Sequence, residues 1–210
     1  MLIPSQMLKD VSHFIGIGFL AGVLAIIAIR FVGMDVQKAT HFHANFAVFI
    51  DGRQRDFSSD RYMQDVQGCK AIGAPVFPED RTHLHNNVGD VIHVHDEGVT
   101  WGHFFANIGY QLGSNYLVDD TDTISRNIGQ KSVVYILNGE VVKNPSNQLI
   151  KSEDRLLISY GNDPATYVLE HQYPLIAGTA HEHNQHPDPG SCSGDISLGF
   201  WDRLKKSLWW

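Results

Sequence analysis

The sequence predicts an α+β domain tethered to a membrane by a single N-terminal helix, and three patterns predict it. Residues 14–29 form an uncharged apolar run, FIGIGFLAGVLAIIAI. Beyond residue 40, short segments alternate apolar and polar side chains with the period of β-strands, as in a small, mostly antiparallel or mixed sheet. One segment near residue 105 instead repeats its apolar residues at the spacing of a helix, the one main helix of the domain.

The anchor comes first. As a helix, residues 12–33 reach about 33 Å, enough to span a bilayer core. Arg30 lies near the end of the span, where its side chain can snorkel to the headgroups. A cleaved signal peptide would end in a small-x-small site, but here the run ends Ile29-Arg30-Phe31. The segment has no polar face, which argues against a core helix of a soluble domain. Residues 1–11 then read as a stub and 34–40 as a linker. Lys9 and the terminal amine nearly balance Arg30 and Lys38, so charge barely sets the orientation. A short stub suits a signal anchor, with the domain extracytoplasmic. Gly18-x-x-x-Gly22 offers a face for homo-oligomer formation through the membrane helix, though glycine is common in such helices. The expected partner is therefore the lipid bilayer. The formal charge is −7 and the 16 basic residues are scattered, so nucleic acid is excluded as a partner.

The soluble domain is expected over residues 41–161. Phe42, Ala44, Phe46, Val48 and Ile50 alternate with His41, His43, Asn45, Ala47 and Phe49, a strand with one strongly apolar face. Asp51-Gly52 is a hairpin signal leading into residues 54–57. Residues 58–80 lack a period and read as a long loop with one helical turn. Two strands, 82–85 and 91–95, flank turn residues Asn86, Asn87, Gly89 and Asp90. Thr100 is a fitting N-cap and Gly109 a fitting stop for a helix whose Trp101, Phe104, Phe105 and Ile108 share one face. Residues 119–130 are polar and read as loop. Residues 132–137 and 140–142 form a hairpin over Asn138-Gly139, and 156–160 is the last strand.

Histidine carries the chemistry. Three H-x-H pairs occur: His41/His43, His83/His85 and His93/His95. On a strand, i and i+2 point to the same side, so each pair can present two imidazoles to one ion. Leu84, Ile92 and Val94 should all face the core, which requires His83 to pair with His93. His83, His85, His93 and His95 then share a face, and His41 and His43 join them if their strand lies alongside. His103, in the first turn of the helix, is a further candidate. Imidazole suits zinc, copper, nickel or iron, and Asp90, Asp96 and Glu97 are candidate orienting partners. Histidines on a strand face can equally be polar surface residues, or a switch that opens in acid. No zinc-protease H-E-x-x-H is present, since Gln185 stands four residues after His181, and the acidic run from Asp120 lacks the spacing of an EF-hand.

Residues 162–195, with His181, His183 and His186, are Gly/Pro/Ser-rich and read as a disordered tail that holds metal loosely or not at all. In 196–210, Phe200, Trp201, Leu204 and Leu208 share a stripe, with Arg203, Lys205 and Lys206 off it. An amphipathic helix of that kind lies on a membrane surface or docks on protein. Cys69 and Cys192 form no C-x-x-C pair, and are compatible with one disulfide or with two free thiols.

The end of the domain, residues 133–161, with its hairpin, Pro-containing turn and final strand, resembles a β-grasp domain. HFHANFAVFIDG, THLHNNVGDVIHVHDEGVTWGHFFANIG, the V-x-x-x-N-G hairpin and DRLLISYG together resemble a group of uncharacterised membrane-anchored bacterial proteins, sometimes labelled protein-disulfide isomerases. The resemblance covers residues 41–161 and implies the same anchor, H-x-H strands and short aromatic helix. It carries no catalytic residue to this chain, which lacks the redox cysteine pair. The expected function is a tethered extracytoplasmic Zn or Cu binding domain for capture or delivery. The alternatives are a metal-free β-grasp module of an envelope assembly and a His-ligated metalloenzyme with Glu97 as base.

Overall fold

A computed structural model describes residues 5–33, 40–64, 77–185 and 200–208. Cys69, Cys192, His186, Trp209 and Trp210 lie outside the described residues, and with them the expectations placed on them. The chain forms two compact units, Met1–Lys38 with Asp195–Trp210, and Ala39–Gly194.

In the first unit, helix α1 (Ser5–Gly33) contains a 21-residue stretch, His13–Gly33, of mean hydropathy 2.4. That stretch is long and apolar enough to cross a membrane and is not buried by protein. Its length along the axis is about 31 Å. A helix near the C-terminus, Phe200–Leu208, packs beside the last turns of α1.

The second unit is built on a mixed sheet. Its strands are β1 (Phe42–Ile50), β2 (Arg53–Gln54), β3 (Thr82–His83), β4 (Val91–Val94), β8 (Ser132–Leu137), β9 (Glu140–Val142) and β10 (Arg155–Gly161). The order is β3-β4-β1-β10-β8-β9, with β2 added to β1 by its hairpin. β1 runs parallel to β10, and the other pairings are antiparallel. The two hairpin turns need backbones with positive φ, which Asp51-Gly52 and Asn138-Gly139 adopt at 49° and 76°, and at 52° and 84°.

After the single turn of α2 (Pro78–Arg81), helix α3 (Trp101–Asn107) covers one sheet face. The Thr100 side chain accepts the backbone N–H of His103, a cap contributing about 1 kcal/mol. Trp101, Phe104 and Phe105 are fully buried against Ala44, Phe46, Leu84, Ile92, Leu156 and Ile158. Phe46 meets Phe104 edge to face at 5.0 Å, an arrangement that contributes about 0.5–1.5 kcal/mol beyond burial.

Three expectations need correction. First, the alternative that the strand-face histidines are surface residues fails for His43, since seven successive residues of β1 are buried. Second, the segment expected as a disordered tail is folded through residue 185. α4 (Ala165–Tyr167), a π-helical turn (Val168–Gln172), a 3-10 turn (Tyr173–Leu175) and α5 (Ala180–Gln185) run in succession. Val168 and Ile176 pack on Ala47, Phe49, Ile136 and Leu157, so this segment closes the second sheet face. Third, residues 119–130 are not simply loop. β5 (Gln111–Leu112), β6 (Tyr116–Val118) and β7 (Ile124–Arg126) make a small antiparallel sheet. The Asp119 carboxylate ties its turn by accepting from the backbone N–H groups of Thr121 and Thr123. Strands of two or three residues are too short to show alternation, which is why they were hidden.

Candidate metal centre

Register places the histidines. In β3, β4 and β1, His83 pairs with His93 and His93 with His43, so three imidazoles stand in one row across the sheet. Leu84, Ile92, Val94 and Ala44 occupy the alternate positions and face the α3 core, which turns the histidines to the opposite face. The pairing expected from alternation within the β3–β4 hairpin is the one observed. His43, His83, His85 and His93 are buried and His41 and His95 are half-buried.

The tightest contacts lie nearer β1 than the hairpin alone suggests. His41, His43 and His93 each offer a ring nitrogen, these atoms lie within 4.8 Å of one another, and the trio could hold a metal ion. His43 Nε2 stands 2.9 Å from His93 Nδ1, and His85 Nε2 stands 3.1 Å from the same atom. Nitrogens bound to a tetrahedral zinc at about 2.0–2.1 Å are about 3.3 Å apart. The His43–His93 and His85–His93 separations are therefore within a few tenths of an ångström of that spacing. His83 and His95 form an outer layer. Their rings stack at 4.9 Å, and His41 stacks on His95 at 4.7 Å.

Two ring orientations can be assigned from their partners. His83 Nδ1 lies 2.8 Å from the carbonyl of Glu79, which only accepts, so Nδ1 carries the proton and Nε2 the lone pair. The side-chain oxygen of Asn184 takes both the backbone N–H and Nδ1–H of His43, each at 2.9 Å. The Asn184 amide is itself oriented, since its nitrogen donates to Ser152 Oγ at 3.0 Å. His43 Nε2 is thus left with its lone pair toward His93, as a metal ligand requires.

Burial sets the protonation. Desolvation, followed by the surrounding histidines, holds His95 down at about 3 and His93 lower still. Neutral rings with available lone pairs are the ligand form of histidine. His95 Nε2 is buried and has no hydrogen-bond partner among the described residues.

Other expected site residues stand elsewhere. His103 lies on α3. Burial lowers its basicity, and its neighbours are Arg81, Glu79, Asp96 and the Pro78 carbonyl rather than the cluster. The three acidic candidates do not orient a ring in any contact found among the described residues. Asp90 serves through its backbone carbonyl, which accepts from Phe46 and Asn45. Asp96 pairs with Arg81 at 2.7 Å, and Glu97 is exposed. Glu79 and Asn184 take the orienting role instead.

His183 was missed. Its ring on α5 lies 5.4 Å from that of His43 and 6.1 Å from that of His93, centroid to centroid. The sequence signal was the pattern H-E-H-N, hidden by its Gly/Pro-rich surroundings. His181 points outward, donating to Glu153 at 2.8 Å. His171 stacks on Tyr167. No protein-family model, curated protein or solved structure matches this chain.

Proposed function

We propose that the Ala39–Gly194 unit is a transition-metal binding domain, for zinc or copper, held at a membrane by α1 with the domain on the extracytoplasmic side. One observation carries the reading. Segments far apart in sequence bring ring nitrogens of His41, His43 and His93 within 4.8 Å of one another, and His43 Nε2 and His85 Nε2 each approach His93 Nδ1, at 2.9 and 3.1 Å. A divalent cation would take the place of the hydrogen bond between His93 Nδ1–H and His43 Nε2, the His93 proton moving to its own Nε2. The role is capture or delivery, because none of the candidate acids stands poised as a base over the rings. The test is metal analysis of the full chain purified without an affinity tag, followed by His43→Ala with His93→Ala. One bound transition metal per chain is expected in the parent. The double variant should bind at least about a thousand-fold more weakly, since losing even one orienting partner costs 10–100-fold. A folded double variant that retains stoichiometric metal overturns the assignment.

The sheet topology favours a second reading. The first long strand, β1, lies parallel to the last, β10, at the centre, with the β8–β9 hairpin beyond it and one main helix on a face. That arrangement supports a β-grasp interaction module of an envelope assembly. On this reading the purified chain carries no stoichiometric metal. The resemblance to uncharacterised membrane-anchored bacterial proteins is compatible with either reading.

A further inference from the structure

The helix at the C-terminus, α6 (Phe200–Leu208), is held at the end of the apolar span. The Phe200 ring meets that of Phe31 at 5.5 Å in an edge arrangement. The Arg203 guanidinium sits over the same Phe31 ring, 5.5 Å from its centre. Arg30 donates to the backbone carbonyl of Lys206 at 3.4 Å. Phe31 and Arg30 belong to the last turn of His13–Gly33, the stretch able to cross a bilayer. Whatever depth that turn occupies, α6 occupies too, and the end of a span is the headgroup level.

At that level α6 presents two chemistries. Phe200, Trp201 and Leu208 leave 61%, 70% and 51% of their surface uncovered, though all three belong to the apolar stripe. Trp201 is the residue type most suited to the membrane–water boundary. Off the stripe, Lys205 and Lys206 are exposed, and Arg30 and Arg203 each make a contact between α1 and α6.

We propose that α6 is an interfacial helix that lies on a bilayer surface bearing anionic headgroups, with Trp201 and Leu208 in the acyl boundary and Lys205 and Lys206 among the phosphates. The proposal rests on α1 spanning the membrane and is independent of the metal centre. A bilayer is the occupant favoured because the exposed apolar residues of α6 stand at the end of a stretch long and apolar enough to cross a membrane, with exposed lysines beside them that match anionic headgroups.

The test uses the full chain with Cys69→Ser, Cys192→Ser and Leu208→Cys, labelled at residue 208 with an environment-sensitive fluorophore. It is reconstituted into vesicles of phosphatidylcholine alone or mixed with phosphatidylglycerol. The expected result is a blue-shifted label quenched by brominated lipid in the mixed vesicles. Lys205→Glu with Lys206→Glu should reduce the bound fraction, each lost lysine weakening it about five-fold. A label with aqueous emission in both vesicles overturns the proposal. So does a blue-shifted label that brominated lipid does not quench, which would place α6 on protein. Equal quenching in both vesicles, unmoved by the lysine reversals, overturns the anionic preference. Alkaline carbonate extraction separates the two levels: a chain that leaves the membrane refutes the span itself, whereas a retained chain with an aqueous label refutes only α6.

Discussion

Along β1 one sheet face changes chemistry halfway. At Ala47 and Phe49 it is apolar and lies under Val168 and Ile176. At His43 and His41 it is imidazole and is met by His183 and Asn184. The same stretch of chain, 165–185, closes both halves. Over the apolar half the closure is non-directional burial, which contributes about 25 cal/mol per Å² removed from water. Over the histidine half it is directional, a bifurcated acceptor in Asn184 and a ring in His183. Burying imidazoles stabilises the fold less than burying leucines would, because each neutral ring must be desolvated and kept neutral. The difference teaches that the cover has two tasks. One half holds the domain together, and the other gathers ligands at a cost to stability.

That division can be broken from either side. The largest expected effect is on the apolar half. Leu157→Ala should lower stability by about 3 kcal/mol in denaturant unfolding of the solubilised chain, while the folded fraction still binds metal at the parent stoichiometry. A loss of metal in the folded fraction would mean that the halves are not separable.

Acid should reveal the cost of the histidine half. His95 and His93 are held below the free histidine value of 6.5, with His41, His43, His83 and His85 crowded around them. The unfolded chain therefore takes up more protons than the folded one below about pH 6.5. Stability is full above that pH and falls as pH drops through the window toward 3. From pH 7.5 to 5 the metal-free chain should lose about 2 kcal/mol for each of the two rings kept neutral. A flat unfolding midpoint over that range would show that the rings accept protons without penalty.

A subtler break concerns orientation. Asn184→Ala removes the acceptor that fixes His43 Nδ1–H and should weaken metal binding about ten-fold, read by competition with a chromogenic chelator. Unchanged affinity would leave α5 as a lid without influence on the ligands. The smallest expected effect sharpens the boundary of the site. His103→Ala, on the far side of the sheet, should leave metal affinity unchanged, and any loss would bring α3 back into the centre.

Much of this comparison is visible before folding, and part of it is not. The H-x-H spacing and the alternation of Leu84, Ile92 and Val94 dictate that His83, His85, His93 and His95 share a face, and the observed His83–His93 pairing follows from it. The apolar pair Ala47 and Phe49, on the same side of the strand as His43, was itself a sign that a cover must exist, since an apolar sheet face has to be buried. The cover could not be read from residues 162–185, whose short helical turns have no sustained period.

What the sequence by itself determined is local: the apolar span, the Thr100 cap, the Asn138-Gly139 turn and the side of each strand on which its imidazoles stand. These depend on residues a few positions apart, where backbone geometry leaves little choice. Tertiary structure alone decided that β4 lies beside β1, bringing His43 to His93, and that α5 returns to add His183 and orient His43. Those contacts join residues 50 to 141 positions apart. They are selected by the burial of the whole core rather than by any pattern along the chain, which is why the ligand set was legible as a group while its centre was not.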